Sequence, residues 1–453
     1  MPSAPSGHPI AVTALRVLRA PRVWLIPVGL LTVALSLITV LFNGSVANPG
    51  ADLRDAPIGL VSLDKGATPM KGDHQNIGRQ VVTGITTQDQ KPHQKVKWKT
   101  FSSLDEVKDA LGRNELFAAA VLPKDYSAKL LSLMGTQPVR PSVTVLTNHG
   151  AGSMAASMGE QIAESAIRGA SSGVTAGILQ QAEKAGAKVP AANQVLVKDP
   201  VTVTAKAGVH LGGRTGQGMT AFFYALLLMM SGFLGANLIH NMTDSALGFS
   251  ANEIGPKRQL TLPQHINRRQ TLLAKCLIMV ATSAVVSAAI LAVSTFALHL
   301  DLPHSLLLWV FGTAAVSAVG IGTLVVLTAL GGPGVVAAMI FFIAAAIPTS
   351  GGAIPLEAMP EFWQWLAQFE PQRALTDGTR AIMYFDAQAT AGLGRAWITL
   401  GVGLVASLVT GFAVTWFYDH KGWHRIQPHT LTRLRHFLHH ENKPTHVEDT
   451  TSA

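Results

Sequence analysis

The sequence predicts an α-helical membrane protein with six spans, arranged one plus five, and a mixed α/β extracytoplasmic domain inserted between spans one and two. Three observations predict it. The 453 residues are 48% hydrophobic and only 13% charged, whereas a soluble chain has about a quarter charged residues. The apolar residues cluster into runs near the ~20 helical residues that a bilayer core requires. The basic residues behind the net charge of +9 gather beside those runs, the positive-inside pattern of membrane proteins. That placement assigns the basic balance to the lipid bilayer as partner and not to nucleic acid. The one cysteine, Cys276, lies inside an apolar run, so no intrachain disulfide framework exists.

The elements follow in order. Residues 1–22 form a cytoplasmic N-terminus. Residues 23–42 form the first span, built on WLIPVGLLTVALSLITVLF from Trp24 to Phe42 and preceded by Arg16, Arg19 and Arg22. The rival reading is a signal peptide cut before Asn48, but the run exceeds the roughly 7–15 residues of a signal core. Residues 43–218 form the external domain. APIGLVSL (56–63) reads as a strand ending at the turn Asp64-Lys65-Gly66. Residues 102–123 read as a helix with a Ser103/Glu106 capping box, running into a second strand, LFAAAVL. PSVTVLT (141–147) is a third, β-branched strand, the Ala-rich stretch 151–185 one long helix or a helix pair, and 199–209 a last strand returning to the membrane.

Residues 219–418 form a five-span domain. Its apolar runs are Ala221–Ile239, Leu272–Leu298, Leu306–Leu330, Val335–Pro348 and Trp397–Tyr418. Lys257, Arg258, Arg268 and Arg269 mark 240–271 as cytoplasmic, and the segment 349–395, more acidic than basic, as external. The tail, 419–453, is basic and His-rich, hence cytoplasmic. The protein is thus expected to be multi-pass in the cell membrane, with both termini inside and 43–218 outside. The fifth run is short and ends at Pro348, so it crosses with help from residues up to Ile354 or is a broken helix. Small residues recur at four-residue spacing in three spans: Ala284/Ala288/Ala292, Ala314/Ala318/Gly322 and Gly403/Ser407/Gly411. Such rows let helices approach closely.

No Gly-Lys dipeptide, HExxH or CxxC occurs, so neither a P-loop nor a familiar metal signature is present. The chain is not expected to be an enzyme or to hold a cofactor or metal. His436, His439 and His440 have metal-compatible spacing, but no acid or cysteine completes a set. Their helix reads as a basic interfacial one. The spans lack Asp, Glu and Arg, and Lys275 lies near a cytoplasmic end where it can snorkel. That pattern opposes a proton-coupled pump of the resistance-nodulation type, which needs ionisable groups in the membrane.

The stretch SGGAIPLEAMPEFWQWL (350–366) stands apart, with two prolines, two glutamates and two tryptophans between apolar runs. On a helix Phe362, Trp365, Leu366 and Phe369 share one face, and Pro360 suits its first turn. An amphipathic, Trp-rich element fits the membrane–water interface, with Glu357, Glu361 and Glu370 toward water or the protein interior.

Ser350-Gly351-Gly352, Pro355, Glu357, Pro360, Phe362, Pro371 and Arg380 together resemble the segment before the last span of type-2 ABC-transporter permeases. The closest likeness is to the YhgE/Pip-like, phage-infection-protein branch, in a short actinobacterial form of unknown function. PIGLVSLDKGA (57–67) and LFAAAVLPKDYSAKLLSL (116–133) are similar to two further elements of that branch. The long coiled-coil insert of larger members is missing, and Glu370 stands where an apolar residue is usual. The resemblance implies an export permease working as a homodimer with a separate ATPase. It makes Pro355, Glu357, Pro360, Phe362, Trp365 and Arg380 an external gate or interface element. It places ATPase contacts in 241–269, at Glu253, Lys257 and Arg258. The cargo it implies is amphipathic or hydrophobic: a lipid, an envelope component or a drug. Two other functions stay open: a non-transporting envelope receptor or scaffold, and a proton-coupled transporter.

Overall fold

A computed structural model describes residues 21–68, 74–88, 95–184, 190, 193–254, 257–259, 264 and 266–423. Helix α1 spans Pro21–Ser45. The chain then enters a sheet region with strands β1 (Ala56–Ser62), β2 (Val96–Phe101), β3 (Ala118–Leu122), β4 (Ser142–Thr147) and β5 (Thr202–Ala207). Their order is β2-β1-β3-β4-β5. β1 pairs in parallel with β2 and β3, β3 pairs antiparallel with β4, and β4 pairs in parallel with β5.

Strand alternation explains why this sheet is covered on both faces. Ile58 and Leu60, with Ala118, Ala120 and Leu122, point to one side. There they meet helices α2 (Ile77–Gln88), α4 (Tyr126–Ser132) and α5 (Ser153–Lys184). Val61, Ala119 and Val121 point to the other side, onto α3 (Leu104–Gly112). Ser103 caps α3 as expected, with Glu106 N donating to Ser103 Oγ at 3.2 Å, while the Glu106 carboxylate accepts from Ser102 N at 3.0 Å, one residue before the cap. The stretch 151–185 is one helix, not a pair. β2, VKWKTF, was not anticipated. Its alternating lysines suit an edge strand, where charge discourages further pairing.

The rest is mainly helical. Helices α6 (Met219–Ala246), α7 (Arg268–Ala292), α8 (Ser305–Leu330) and a later helix, Leu393–His420, are long and apolar enough to cross a membrane. Between α6 and α7 lies a small hairpin of β6 (Asn252–Ile254) and β7 (Lys257–Gln259). After α8 come the shorter α9 (Gly334–Thr349), α10 (Glu361–Leu366) and α11 (Pro371–Tyr384), and then α12 (Leu393–His420). α9 is continuous and includes a π-helical turn at Ile340–Ala345.

α8 is the central helix. Its apolar window is 72% buried, against 17–44% for the other three long helices. Small residues allow that centrality: a Cβ on Gly320 would lie 2.4 Å from Met279 Cε, and one on Gly232 2.8 Å from Val319 Cβ. The expected rows hold in part. Gly322 and Gly411 pack closely, whereas Gly403 has open space, Ala288 is exposed and Ala292 is half-buried. On α7 the buried line is Ser283 and Ser287 instead.

Arginines hold both ends of the bundle. Arg214, just before α6, donates to Leu298 O beyond α7 at 3.1 Å, on the side of the sheet region. At the opposite end Arg268 donates to Trp423 O at 2.8 Å, and Arg269 pairs with Asp419 at 3.6 Å. One expectation fails here. Lys275 does not snorkel; it is 0% exposed and donates to Asp244 Oδ1 at 2.6 Å. α6 continues past Ile239 to Ala246 and carries this carboxylate into the bundle, so the spans are not free of acid.

Candidate functional site

The segment 349–395 is the meeting point of the first helix, the sheet region and the bundle. Its start, Ser350-Gly351-Gly352, has to turn tightly. Gly351 sits at φ +65°, and a Cβ on Gly352 would lie 2.0 Å from Phe222 Cδ2 on α6. Turning leaves carbonyls without helical donors, and Arg380 of α11 satisfies them. Its Nη1 donates to Gly351 O at 3.0 Å and its Nη2 to Gly352 O at 3.2 Å. The same guanidinium borders the sheet region, because a Cβ on Gly152 would lie 2.7 Å from Nη2.

Next, Pro355 is buried and precedes the short turn Leu356–Ala358. There the chain meets the segment before β1: Arg54 N donates to Glu357 O at 2.7 Å, and the Arg54 side chain pairs with Glu361. Pro360 opens α10. Trp363 turns inward, its Nε1 donating to Leu41 O on α1 at 3.1 Å. Leu366 also turns inward, onto Leu41, Ala344 and Ala345. Phe362, Trp365 and Phe369 point outward and are 53–59% exposed. The Trp365 and Phe369 ring centroids are 5.1 Å apart. The predicted aromatic face therefore exists without Leu366.

Between these pieces lies a cleft of about 320 Å³ lined by Arg54, Asp55, Glu357, Glu361, Gln364 and Arg373, among others. Beneath it the charges are partly buried. Arg373 lies 3.8 Å from Asp377, one helical turn on. Burial pushes the Glu357 and Asp377 carboxyls up and the Arg373 and Arg380 guanidiniums down, and their mutual attraction opposes each shift. Glu370 is the extreme case. It is 1% exposed, and burial alone pushes its carboxyl up to about 8. Neither of its oxygens, and neither amide atom of the adjacent buried Gln372, has a hydrogen-bond partner among the described residues.

Two of the motifs quoted above also meet in the sheet region. Asp64, from the turn after β1, accepts from Ser127 N and from Gly78 N, both at 3.0 Å, and from the Ser127 hydroxyl. One carboxylate thus holds the starts of both α2 and α4, where helix dipoles favour a negative charge. Tyr126, beside it, is buried and its phenol is pushed up to about 12.

Pro355, Glu357, Pro360 and Arg380 are therefore gathered at one junction, with Phe362 and Trp365 on its outer surface. Glu253 and Arg258 are register partners across β6 and β7, with Lys257 next to Arg258. The side chains of all three lie outside the described residues, as does the His436, His439 and His440 cluster. Sequence reasoning missed Arg54, Arg373 and Asp377. The i,i+4 pair Arg373/Asp377 was readable as a helical ion pair, but nothing local shows that Arg54 would return to a segment some 300 residues later.

A family model described as "Protein of unknown function (DUF3533)" matches residues 28–403, and the chain belongs to that family. No curated protein and no solved structure matches it.

Proposed function

We propose that this DUF3533 protein is the membrane subunit of a type-2 ABC-like exporter of the YhgE/Pip kind. In this reading it crosses the cell membrane six times, with α1 and α9 as first and fifth spans and the sheet region outside. It moves an amphipathic or hydrophobic cargo, works as a homodimer, and is driven by an ATPase on a separate chain that contacts the β6–β7 hairpin.

The observation that supports this most is the junction at 349–395. One segment is bonded at once to α1 through Trp363, to the sheet region through Arg54, and to the bundle through α11. A bundle rearrangement driven from the β6–β7 side would thus move the outer face. The outward aromatics fit lipid or an amphipathic cargo. Purification from the native host in mild detergent, followed by mass spectrometry and an ATPase assay, tests the reading. A stoichiometric P-loop ATPase stimulated in the complex is expected. A homo-oligomer with no ATPase would refute it.

One feature favours a receptor instead. An open groove of about 630 Å³ runs between α2 and α5, lined by Trp98, Ile85 and Val174 and by Gly84, Gly169 and Gly173. Retained function after replacing residues 219–423 with an unrelated anchor would select that second reading.

A further inference from the structure

We infer that the cleft beside α10 binds the head of a zwitterionic phospholipid bearing a primary ammonium. Its phosphate lies at Arg373, its ammonium at Glu357, and its chains run along Phe362, Trp365 and Phe369. The inference needs the segment 349–395 to lie at the membrane surface, where exposed aromatic rings are at home. It needs neither transport nor an ATPase. The cleft has a volume of about 320 Å³, at the small end of the ~300–1,000 Å³ of ligand sites. It therefore suits a head group and leaves the chains outside.

Both signs of charge line the cleft, and two opposite charges face it without meeting. At one wall Arg54 and Glu361 pair with each other. Arg373 and Glu357 attract one another but form no ion pair. Among the described residues the Arg373 guanidinium makes no hydrogen bond, because its ion-pair partner Asp377 is 3.8 Å away, beyond hydrogen-bond length. A guanidinium with its fork of N–H groups left over takes a phosphate bidentately. The opposite wall accepts. Glu357 and the exposed Asp55 offer carboxylates, and Gln364 gives an amide N–H to Met359 O at 2.9 Å, which leaves Oε1 as its acceptor. Acceptors in this number suit a primary ammonium, which carries three N–H donors, better than a trimethylated one, which carries none. Burial also pushes the Glu357 carboxyl up, and an ammonium beside it restores the ionised form. A simple anion would meet three carboxylates here, and a simple cation would leave Arg373 unused. A zwitterion satisfies both sides without changing the charge of the site.

The chains are placed by the order of residues along α10 and the turn after it. Each cleft residue is followed directly by an outward ring: Glu361 by Phe362, Gln364 by Trp365 and Gln368 by Phe369. Successive helical residues point ~100° apart, so a polar file and an aromatic file run side by side. The rings are contiguous, with the Trp365 centroid 6.3 Å from that of Phe362 and 5.1 Å from that of Phe369. A head seated in the cleft lays its chains on these rings, which a chainless zwitterion would leave bare.

The test is native mass spectrometry of the full chain, released from mild detergent after equilibration with equal parts of phosphatidylethanolamine, phosphatidylcholine and phosphatidylglycerol. The wild type should retain phosphatidylethanolamine about tenfold over either of the others, the factor equivalent to one charge-assisted hydrogen bond. Glu357→Gln should lose the preference over phosphatidylcholine, and Arg373→Gln should retain about tenfold less phosphatidylethanolamine. Glycerophosphoethanolamine, the same head without chains, should not displace the lipid at about a hundredfold excess, because it buries no apolar surface. A wild type without the preference overturns the inference, as does either variant that behaves like the wild type. Displacement by the chainless head would show a site for a free zwitterion and overturn the lipid assignment. If Arg373→Gln does not accumulate, Glu357→Gln and the wild type still decide.

Discussion

The Trp363 indole donates its N–H to the carbonyl of Leu41 across 3.1 Å, joining the segment 349–395 to the end of α1. The ring also lies against bare backbone, since a Cβ on Gly44 would sit 2.8 Å from Trp363 Cζ2. Trp363→Phe keeps most of the ring and removes the donor, and should cost about 1 kcal/mol. Trp363→Ala should cost about 3 kcal/mol or more. Thermal unfolding in detergent reads both, and disulfide trapping between α1 and α10 reads the loosened contact.

Arg380 should tolerate no substitute. Removing it leaves the Gly351 and Gly352 carbonyls without their donor inside the protein, a loss of roughly 2–4 kcal/mol. Lys offers one point charge where a fork is needed, so Arg380→Lys should recover less than half of the lost melting temperature.

Glu370 predicts a pH slope. Its carboxyl is raised from 4.5 to about 8, so the folded state binds more protons than the unfolded chain between those values. Its contribution is least unfavourable below about pH 4.5, and stability falls as pH rises toward 8. Glu370→Gln lacks this slope. The variant should gain on the wild type from pH 5 to 8, by up to a few kcal/mol. Parallel melting curves across that range would refute the assignment.

Asp64 should be essential to the sheet region. Asp64→Ala removes the acceptor for two buried backbone N–H groups and a hydroxyl, at about 3 kcal/mol or more. Hydrogen exchange should then rise first at the starts of α2 and α4.

Phe362→Ser with Trp365→Ser alters only exposed rings, so folding should change by about 0.5 kcal/mol or less. If the exporter reading holds, cargo movement into vesicles should drop while ATPase association stays at wild-type level.

Much of the sheet region was legible, for physical reasons. β1, β3, β4 and β5 are apolar or β-branched runs bounded by turn residues, and α3 advertises its start with Ser103 and Glu106. β2 was not legible, because Lys97 and Lys99 break the apolar alternation and only its edge position makes them tolerable. Pro355, Glu357, Pro360 and Arg380 were readable as a group from resemblance, but their shared purpose was not. Arg54 and Gly152, which Glu357 and Arg380 contact, are hundreds of residues away in sequence and carry no mark of it. Lys275 was misread because α6 was ended at Ile239, where hydropathy stops. The helix itself continues for two turns, and Asp244 is paired on arrival.

The strand order has a consequence for how the chain is made. β1, the first strand synthesised, lies inside the sheet between β2 and β3, and β5, its last strand, lies at the edge just before α6. While the ribosome is still completing α5, Ile58 and Leu60 have no finished cover and β4 has one free side. Pairings of such long sequence separation form late, and unpaired strands are the species that aggregate. The sheet closes only as the chain begins the bundle, so a nascent chain stalled before Thr202 should be the form that folding helpers hold and proteases remove.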